Sequence, residues 1–486
     1  MEKNKMTNVL IKTLKQHTPL LHFSPLEPGS TLRASEVKPK LDRYLIKKLG
    51  GGDYDSVKQQ VRTNNPDWFV KKEGVYALNY QLKIIAEGRN ESITIGDVKE
   101  VEKKNNETQI EEKKLAIANY PLVLSNMGGR KLGEEEKFAN FSFYEYIRLV
   151  FIFPTEVNGQ KVDVEGLYKE INDNIAEFFF TTNFGQRSGK GFGSFTVVGG
   201  DDKVLQTAPY IKYAFDGKID NKTFKTLFTV IDYYWKRLKS GVNNTRRGLD
   251  KKNNIIRNNP NNYYKAFVYR YLNDKKIGIG LTWEKKSIKE GLPHDLISAK
   301  TVSDNWKEVE NKNDAFFARA HLGGPGESIQ YRVATGRIGK VKDKDGNLTD
   351  KEVISDKTLI ISNNHSKELA RIPSPIVFKP IVSGTDVIIY LLIDENILRA
   401  IEALPRDTEF TFSIKDEENK KTSVNLFACR KGETEKYIFN YRHLIQEFHE
   451  SEKKLTVRLS EQVKEGQNFK TIYTYLDVEL SKTDNE

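Results

Sequence analysis

The sequence predicts an α+β protein of two domains joined by a partly helical, basic connector. Three observations carry this. At 486 residues the chain exceeds what one hydrophobic core usually supports, so two domains are the default. Strand-like and helix-like patterns alternate through the first half, and strands return in the last third. Between them lies a stretch of different character, which suits two separate α+β units better than one α/β barrel. The boundaries fall at 1–215, 216–320 and 321–486.

Residues 8–23 read as an extended segment ending in the turn Ser-Pro-Leu-Glu-Pro-Gly. A helix follows over 36–49, where Val37, Leu41, Tyr44 and Leu45 recur at helical spacing. Ser35 is its expected N-cap, Gly50 its expected stop, and Pro39 falls in the first turn, where a missing N–H costs least. Residues 142–153, SFYEYIRLVFIF, are aromatic and branched enough for a buried strand. Val164, Leu167, Tyr168, Ile171, Ile175 and Phe178 then mark an amphipathic helix. A Gly-rich loop, NFGQRSGKGFGSF at 183–195, follows that helix, and SFTVV resumes as a strand.

Two stretches read as surface excursions: the charged residues 95–114, and 340–358, where Asp345-Gly346 suits a hairpin tip. In the middle, Phe224, Leu227, Phe228, Ile231 and Leu238 make one strongly amphipathic helix. Residues 243–265 are rich in Asn and basic side chains with a single acid, Asp250. Strands return with IPSPIVFKPI and DVIIYLLI.

Composition narrows the function classes. A surplus of 78 Lys+Arg over 67 Asp+Glu, formally +11, favours polyanionic partners, although many basic proteins bind no nucleic acid. The one cysteine, Cys429, permits neither a disulfide within the chain nor a cysteine-based zinc site. The N-terminal residues hold no apolar signal core, and no run approaches the roughly twenty apolar residues of a membrane span. A cytoplasmic protein without membrane partners is the expectation.

The Gly-rich loop fails the nucleotide motifs. A Walker A loop needs four residues between its glycines, yet Gly185 to Gly189 encloses three, and Gly191 follows Lys190 where a hydroxyl should stand. A dinucleotide loop opens a helix, whereas this one runs from helix to strand. What remains is a backbone that can come close to a ligand at Gly185, Gly189, Gly191 and Gly193, with Arg187 and Lys190 supplying charge to phosphates. A flexible connection with incidental basic residues fits equally well.

Two further basic surfaces are candidates. On the first helix Lys40, Arg43 and Lys47 form a stripe beside the apolar face, and Arg33 stands just ahead of it. A solvated lysine-rich face is the commoner meaning of such a stripe. The other cluster is Arg246, Arg247, Lys251, Lys252 and Arg257 beside Tyr263 and Tyr264, a pairing of cations and aromatics that suits single-stranded nucleic acid. A solvated loop is the alternative. None of the seven histidines forms a metal-spaced pair, so neither a metal nor another cofactor is expected. His17 or His22 could serve as general base in RNA cleavage, but a histidine near a strand end is more often packed or hydrogen-bonded.

Several segments resemble a known family. TPLLHFSPLEPGSTLRASEVKPKLDRYL is similar to the opening of RAMP-superfamily CRISPR proteins, although no glycine follows Leu32-Arg33. GQRSGKGFGSF resembles that superfamily's glycine-rich loop. ARAHLGGPG and RIPSPIVFKPI resemble segments of one branch, the double-RAMP first subunit of the type III-B (Cmr) effector complex. The resemblance implies two ferredoxin-like domains and a place in a multisubunit crRNA-guided complex near the crRNA 3′ region. It implies contact with crRNA, target RNA and neighbouring effector subunits, and no nuclease centre. The competing reading is a RAMP endoribonuclease that processes precursor crRNA by metal-free acid–base chemistry.

Overall fold

The computed structural model describes residues 8–21, 31–94, 97–104, 111–118, 140–157, 159–200, 210–214, 221–243, 248–249, 255–256, 263–264, 266–273, 318–324, 328–342, 348–363, 373–383, 386–402, 408–415, 421–427 and 440–453. The chain is α+β with antiparallel sheets.

Strand β1 (Val9–Gln16) leads to helices α1 (Ala34–Gly50) and α2 (Tyr54–Asn64), then to β2 (Gln81–Thr94). A ribbon of β3 (Asp97–Lys104) and β4 (Glu111–Ala118) precedes β5 (Asn140–Ile152). The short pair β6 (Glu156–Val157) and β7 (Gln160–Lys161) leads to α3 (Glu165–Thr181) and β8 (Phe195–Val197). Next come β9 (Tyr210–Ala214), α4 (Asn221–Lys239), β10 (Val242–Asn243), β11 (Gly248–Leu249), β12 (Ile255–Ile256), β13 (Tyr263–Tyr264) and α5 (Phe267–Asn273). The rest are β14 (Ser328–Lys342), β15 (Leu348–Asn363), β16 (Ile376–Ser383), β17 (Asp386–Ile393), α6 (Glu395–Glu402), β18 (Glu409–Lys415), β19 (Lys421–Phe427) and α7 (Tyr441–Lys453).

These elements form two compact units. The first holds the described residues up to Asp232 together with Val377–Leu392. Its main sheet has the order β2-β5-β1-β8, and each neighbouring pair is antiparallel. Alternation explains the layer: Leu10 and Leu14 of β1 and Ile147, Leu149 and Phe151 of β5 are buried on one side. Against them pack Val37, Leu41 and Leu45 of α1 and Leu167, Ile171, Ile175 and Phe178 of α3, in a single core cluster. The opposite side is exposed at Tyr146 and Arg148, so the strand expected to be buried is buried through one face. A second sheet of this unit has the order β16-β17-β9.

Two expected boundaries shift. The N-cap of α1 is Arg33, whose carbonyl accepts from Glu36 N and Val37 N, so Ser35 lies inside the first turn and caps nothing. The helix runs through Gly50 and stops at Gly51, which takes the left-handed conformation at φ 64°. Asp53 then caps α2 by accepting from Asp55 N at 3.1 Å. The charged excursion is the β3–β4 ribbon, in register from Asp97↔Ala118 to Lys104↔Glu111.

The second unit holds the described residues from Tyr233 to Ile376 and from Ile393 onward. Its sheet is antiparallel in the order β14-β15-β18-β19, with β16, β17 and α6 intervening in the chain between β15 and β18. The β14–β15 pairing runs to Lys342↔Leu348, and Asp345-Gly346 lie outside the described residues. Tyr234, Phe267 and Phe448 pack edge to face, and Tyr441 Oη donates to the His321 carbonyl at 2.9 Å. Among the described residues no helix is long and apolar enough to cross a membrane.

Candidate functional site

The Gly-rich loop forms a corner where three sequence motifs meet. Helix α3 delivers the chain to Asn183, and β8 carries it away from Ser194. The Thr18-Pro19 end of β1 lies beneath. Thr18 Oγ1 donates to Gly191 O at 2.7 Å and accepts from Ser194 N at 2.9 Å, while Gly193 N donates to Pro19 O at 2.9 Å. Gln186 N donates to Leu21 O at 2.7 Å.

Glycine is required here for close approach. Gly185 has φ 75°, and a side chain there would stand 2.5 Å from Leu21 O. Gly193 has φ 63°, and its missing Cβ would overlap Phe184 O. Gly191, at φ 88°, lies under Ile231 and Pro380. The N–H groups of Gly185, Gln186, Lys190, Gly191 and Gly193 all donate to the protein's own oxygens, so the backbone at these positions is not a phosphate cradle.

Strand β16 closes the corner. Phe378 N donates to Gly189 O at 3.2 Å, Asn183 Nδ2 to Phe378 O at 2.8 Å, and Ser194 Oγ to Pro380 O at 2.6 Å. Lys379 is fully buried. Its ammonium donates to Phe179 O at 2.7 Å, Thr182 O at 3.0 Å and Phe195 O at 2.9 Å. Burial holds its pKa well below the ordinary lysine value, while three carbonyl acceptors match the three donors of the charged form. Two of those carbonyls belong to the C-terminal end of α3, where backbone oxygens lack helical partners and the helix dipole favours a cation.

His17 belongs to the same junction. Its Nδ1 accepts from Val382 N at 3.0 Å, so the proton sits on Nε2, which faces Thr196 Oγ1 at 2.7 Å. Burial first, then the charges of Lys379 and Lys15, push its pKa well below 6.5. The imidazole is therefore neutral, and both of its nitrogens are engaged.

The structure brings the α1 stripe and the loop together. Glu36 Oε1 accepts from Gly185 N at 2.6 Å, and Lys40 Nζ bridges Glu36 at 3.1 Å and Asn183 O at 3.4 Å. Arg33, Glu36, Lys40 and Arg43 follow one another at helical spacing, so the exposed Arg33 and Arg43 flank this contact. The Arg43 guanidinium lies 4.9 Å over the Tyr54 ring. Arg187, at φ 55°, is the one non-glycine with positive φ among the described residues. The Lys190 ammonium is buried, 6.0 Å from the Phe378 ring. Gly189 lends its carbonyl to β16. Tyr263 and Tyr264 form β13, paired with β10 in the second unit. Arg246, Arg247 and His22 lie outside the described residues.

Sequence reasoning missed Glu36, Asn183 and Lys379. The one local signal was a lysine set inside the apolar run IVFKPI. Among the described residues no group of three His, Cys, Asp or Glu side chains is placed to hold a metal.

Two family models match nearly end to end: the Cmr1 N-terminal domain over residues 6–242 and the Cmr1 C-terminal domain over 263–470. The chain belongs to the Cmr1 family. It is a Cmr1-like type III-B subunit, as the Thr-Pro, glycine-loop and Ser-Pro motifs suggest. Among curated proteins none matches at significance. One similar solved chain comes from a cryo-EM structure of type III-B Cmr-beta bound to cognate target RNA and AMPPnP in the presence of ssDNA. It shares 12% identity, covers 80% of this chain and 97% of that one, and gives a TM-score of 0.31. Another comes from type III-B Cmr-beta bound to cognate target RNA, at 12% identity, 81% and 97% coverage and a TM-score of 0.29. Within this Cmr1-family chain Val377–Leu392 falls in the residues matched by the C-terminal domain, yet its contacts are with the first unit.

Proposed function

We propose that this chain is a non-catalytic RNA-binding and scaffold subunit of a type III-B crRNA-guided effector, acting in antiviral defence. It lies near the crRNA 3′ region, contacts crRNA and target RNA, and adjoins other effector subunits without a cofactor of its own. The carrying observation is the junction of the α1 stripe with the glycine loop, which sets Arg33, Arg43 and Arg187 around one corner pinned by Glu36 and Lys40. Cations on such a rigid frame suit a phosphate backbone. The connectivity β1-α1-β2-β5-α3-β8 with sheet order β2-β5-β1-β8 supports a ferredoxin-like reading of the first unit. The engaged, neutral state of His17 favours the non-catalytic reading, because a general base must reach its substrate.

The test is RNA affinity against salt for Arg33→Ala, Arg43→Ala and Arg187→Ala in the full-length chain. Each lost phosphate contact should lower the salt slope by about one unit. Unchanged affinity and slope in all three would refute the corner as an RNA site. Specific metal-free cleavage of repeat RNA that disappears in His17→Ala would overturn the non-catalytic reading.

A further inference from the structure

The face of the main sheet turned away from α1 and α3 meets the corner just described only at its Lys15–Thr196 end. The register lays it out in rows: Lys83, Val150 and Ile11; then Ile85, Arg148 and Thr13; then Glu87, Tyr146 and Lys15. Ile11 is 54% exposed, Val198 just past β8 52%, Ile85 44% and Tyr146 41%, all on this face and interspersed with Arg148, Thr13 and Lys83. A sheet with helices on one side normally presents polar side chains to water on the other. Branched aliphatic residues half exposed on such a face mark an interaction surface.

We propose that this face docks a neighbouring protein subunit whose contact surface carries apolar side chains interspersed with carboxylates. The inference rests on the reading of the chain as an effector subunit. Two observations choose protein over RNA. Among the described residues the exposed apolar side chains of this face are aliphatic apart from Tyr146, and Ile and Val offer no platform on which bases stack. The cations are also partly committed: Arg148 pairs with Glu87 at 2.8 Å, and Lys15 Nζ donates to Val382 O at 3.2 Å. Charge sets the partner's acidic complement. Lys83, Arg148 and Lys15 outnumber Glu87, so the face carries a positive excess that partner carboxylates would meet.

The test co-expresses the full-length chain with the remaining subunits of its type III-B complex, one of them tagged, and measures the chain's occupancy after size exclusion. Ile11→Glu/Ile85→Glu should lower occupancy about tenfold or more, with the isolated chain's circular dichroism, melting temperature and RNA affinity unchanged. Lys83→Glu should weaken incorporation more at low salt than at high salt. Wild-type occupancy in the double variant would overturn the inference. So would loss of RNA affinity in the isolated variant, which would assign the face to RNA. If the wild-type chain itself is not retained, the subunit reading fails and this inference falls with it.

Discussion

Replacing Lys379 by methionine removes the ammonium while keeping most of the apolar stem. In the folded chain that ammonium donates at 2.7, 2.9 and 3.0 Å to three carbonyls, two on α3's final turn and exit and one on β8. Hydrogen bonds to a charged group contribute roughly 1.5–3 kcal/mol each, so three contribute about 4.5–9 kcal/mol. Against this stands the cost of burying the ammonium, several kcal/mol, which the substitution relieves. The bonds His17 N to Ser194 O and Val198 N to Thr13 O make Gln16↔Phe195 a non-hydrogen-bonded pair, so the Phe195 carbonyl faces away from β1 and toward Lys379. The expected net destabilisation is about 2–4 kcal/mol, read from urea unfolding of the full-length chain at neutral pH. Hydrogen exchange should quicken first in β16 and in the loop at 183–195, because Lys379 sits between Phe378 and Pro380, which hold that loop. A variant within about 0.5 kcal/mol of wild type, with unaltered exchange there, would show that the ammonium does not anchor the strand.

Other consequences are independent of that one. His17 has a folded-state pKa below its unfolded value, so as pH falls through about 6.5 the unfolded chain takes up a proton that the folded chain refuses. Stability should drop by up to about 1.4 kcal/mol per pH unit from this residue, until the lowered pKa is reached. His17→Gln should flatten the curve of unfolding free energy between pH 7.5 and 5.5 by that amount; parallel curves would count against it. Gly193→Ala meets Phe184 O at positive φ and should cost well over 1 kcal/mol, whereas Gly51→Ala, with nothing within 4 Å, should cost only about 1 kcal/mol, as melting would report.

Local pattern made much of the first unit legible. The 3.6-residue repeat from Val164 to Phe178 marks α3, so the helix-before, strand-after setting of the loop follows from sequence. What local pattern lacks is the partner across the fold. Glu36 meets Gly185 from 149 residues away and Lys379 meets Phe179 from 200. In sequence Lys379 has the spacing of a strand residue facing water, and only the carbonyls of α3 and β8 reverse that. The open sheet face was hidden for a related reason. VLIKTL and YIRLVFI are apolar on both strand faces, which reads as two-sided burial, yet helices cover only one.

Arg187 separates the folding role of the loop from its ligand role. Gly185, Gly191 and Gly193 take positive φ where a side chain would collide, so their absence of Cβ serves packing. Arg187 takes φ 55° with a long cationic side chain, in a region where L-residues cost roughly 1–2 kcal/mol and glycine is the unstrained choice. Glycine's extra chain entropy offsets about 0.5–1 kcal/mol of that difference. Arg187→Gly should therefore leave stability within about 1 kcal/mol of wild type, or raise it slightly, while weakening RNA binding and lowering its salt slope by about one unit. An arginine kept against its backbone preference, with stability and binding moving in opposite directions on its removal, is the signature of a residue retained for its ligand. If Arg187→Gly instead unfolds the loop and leaves RNA affinity per folded molecule intact, its guanidinium holds the protein together, and the RNA contact must be sought on α1.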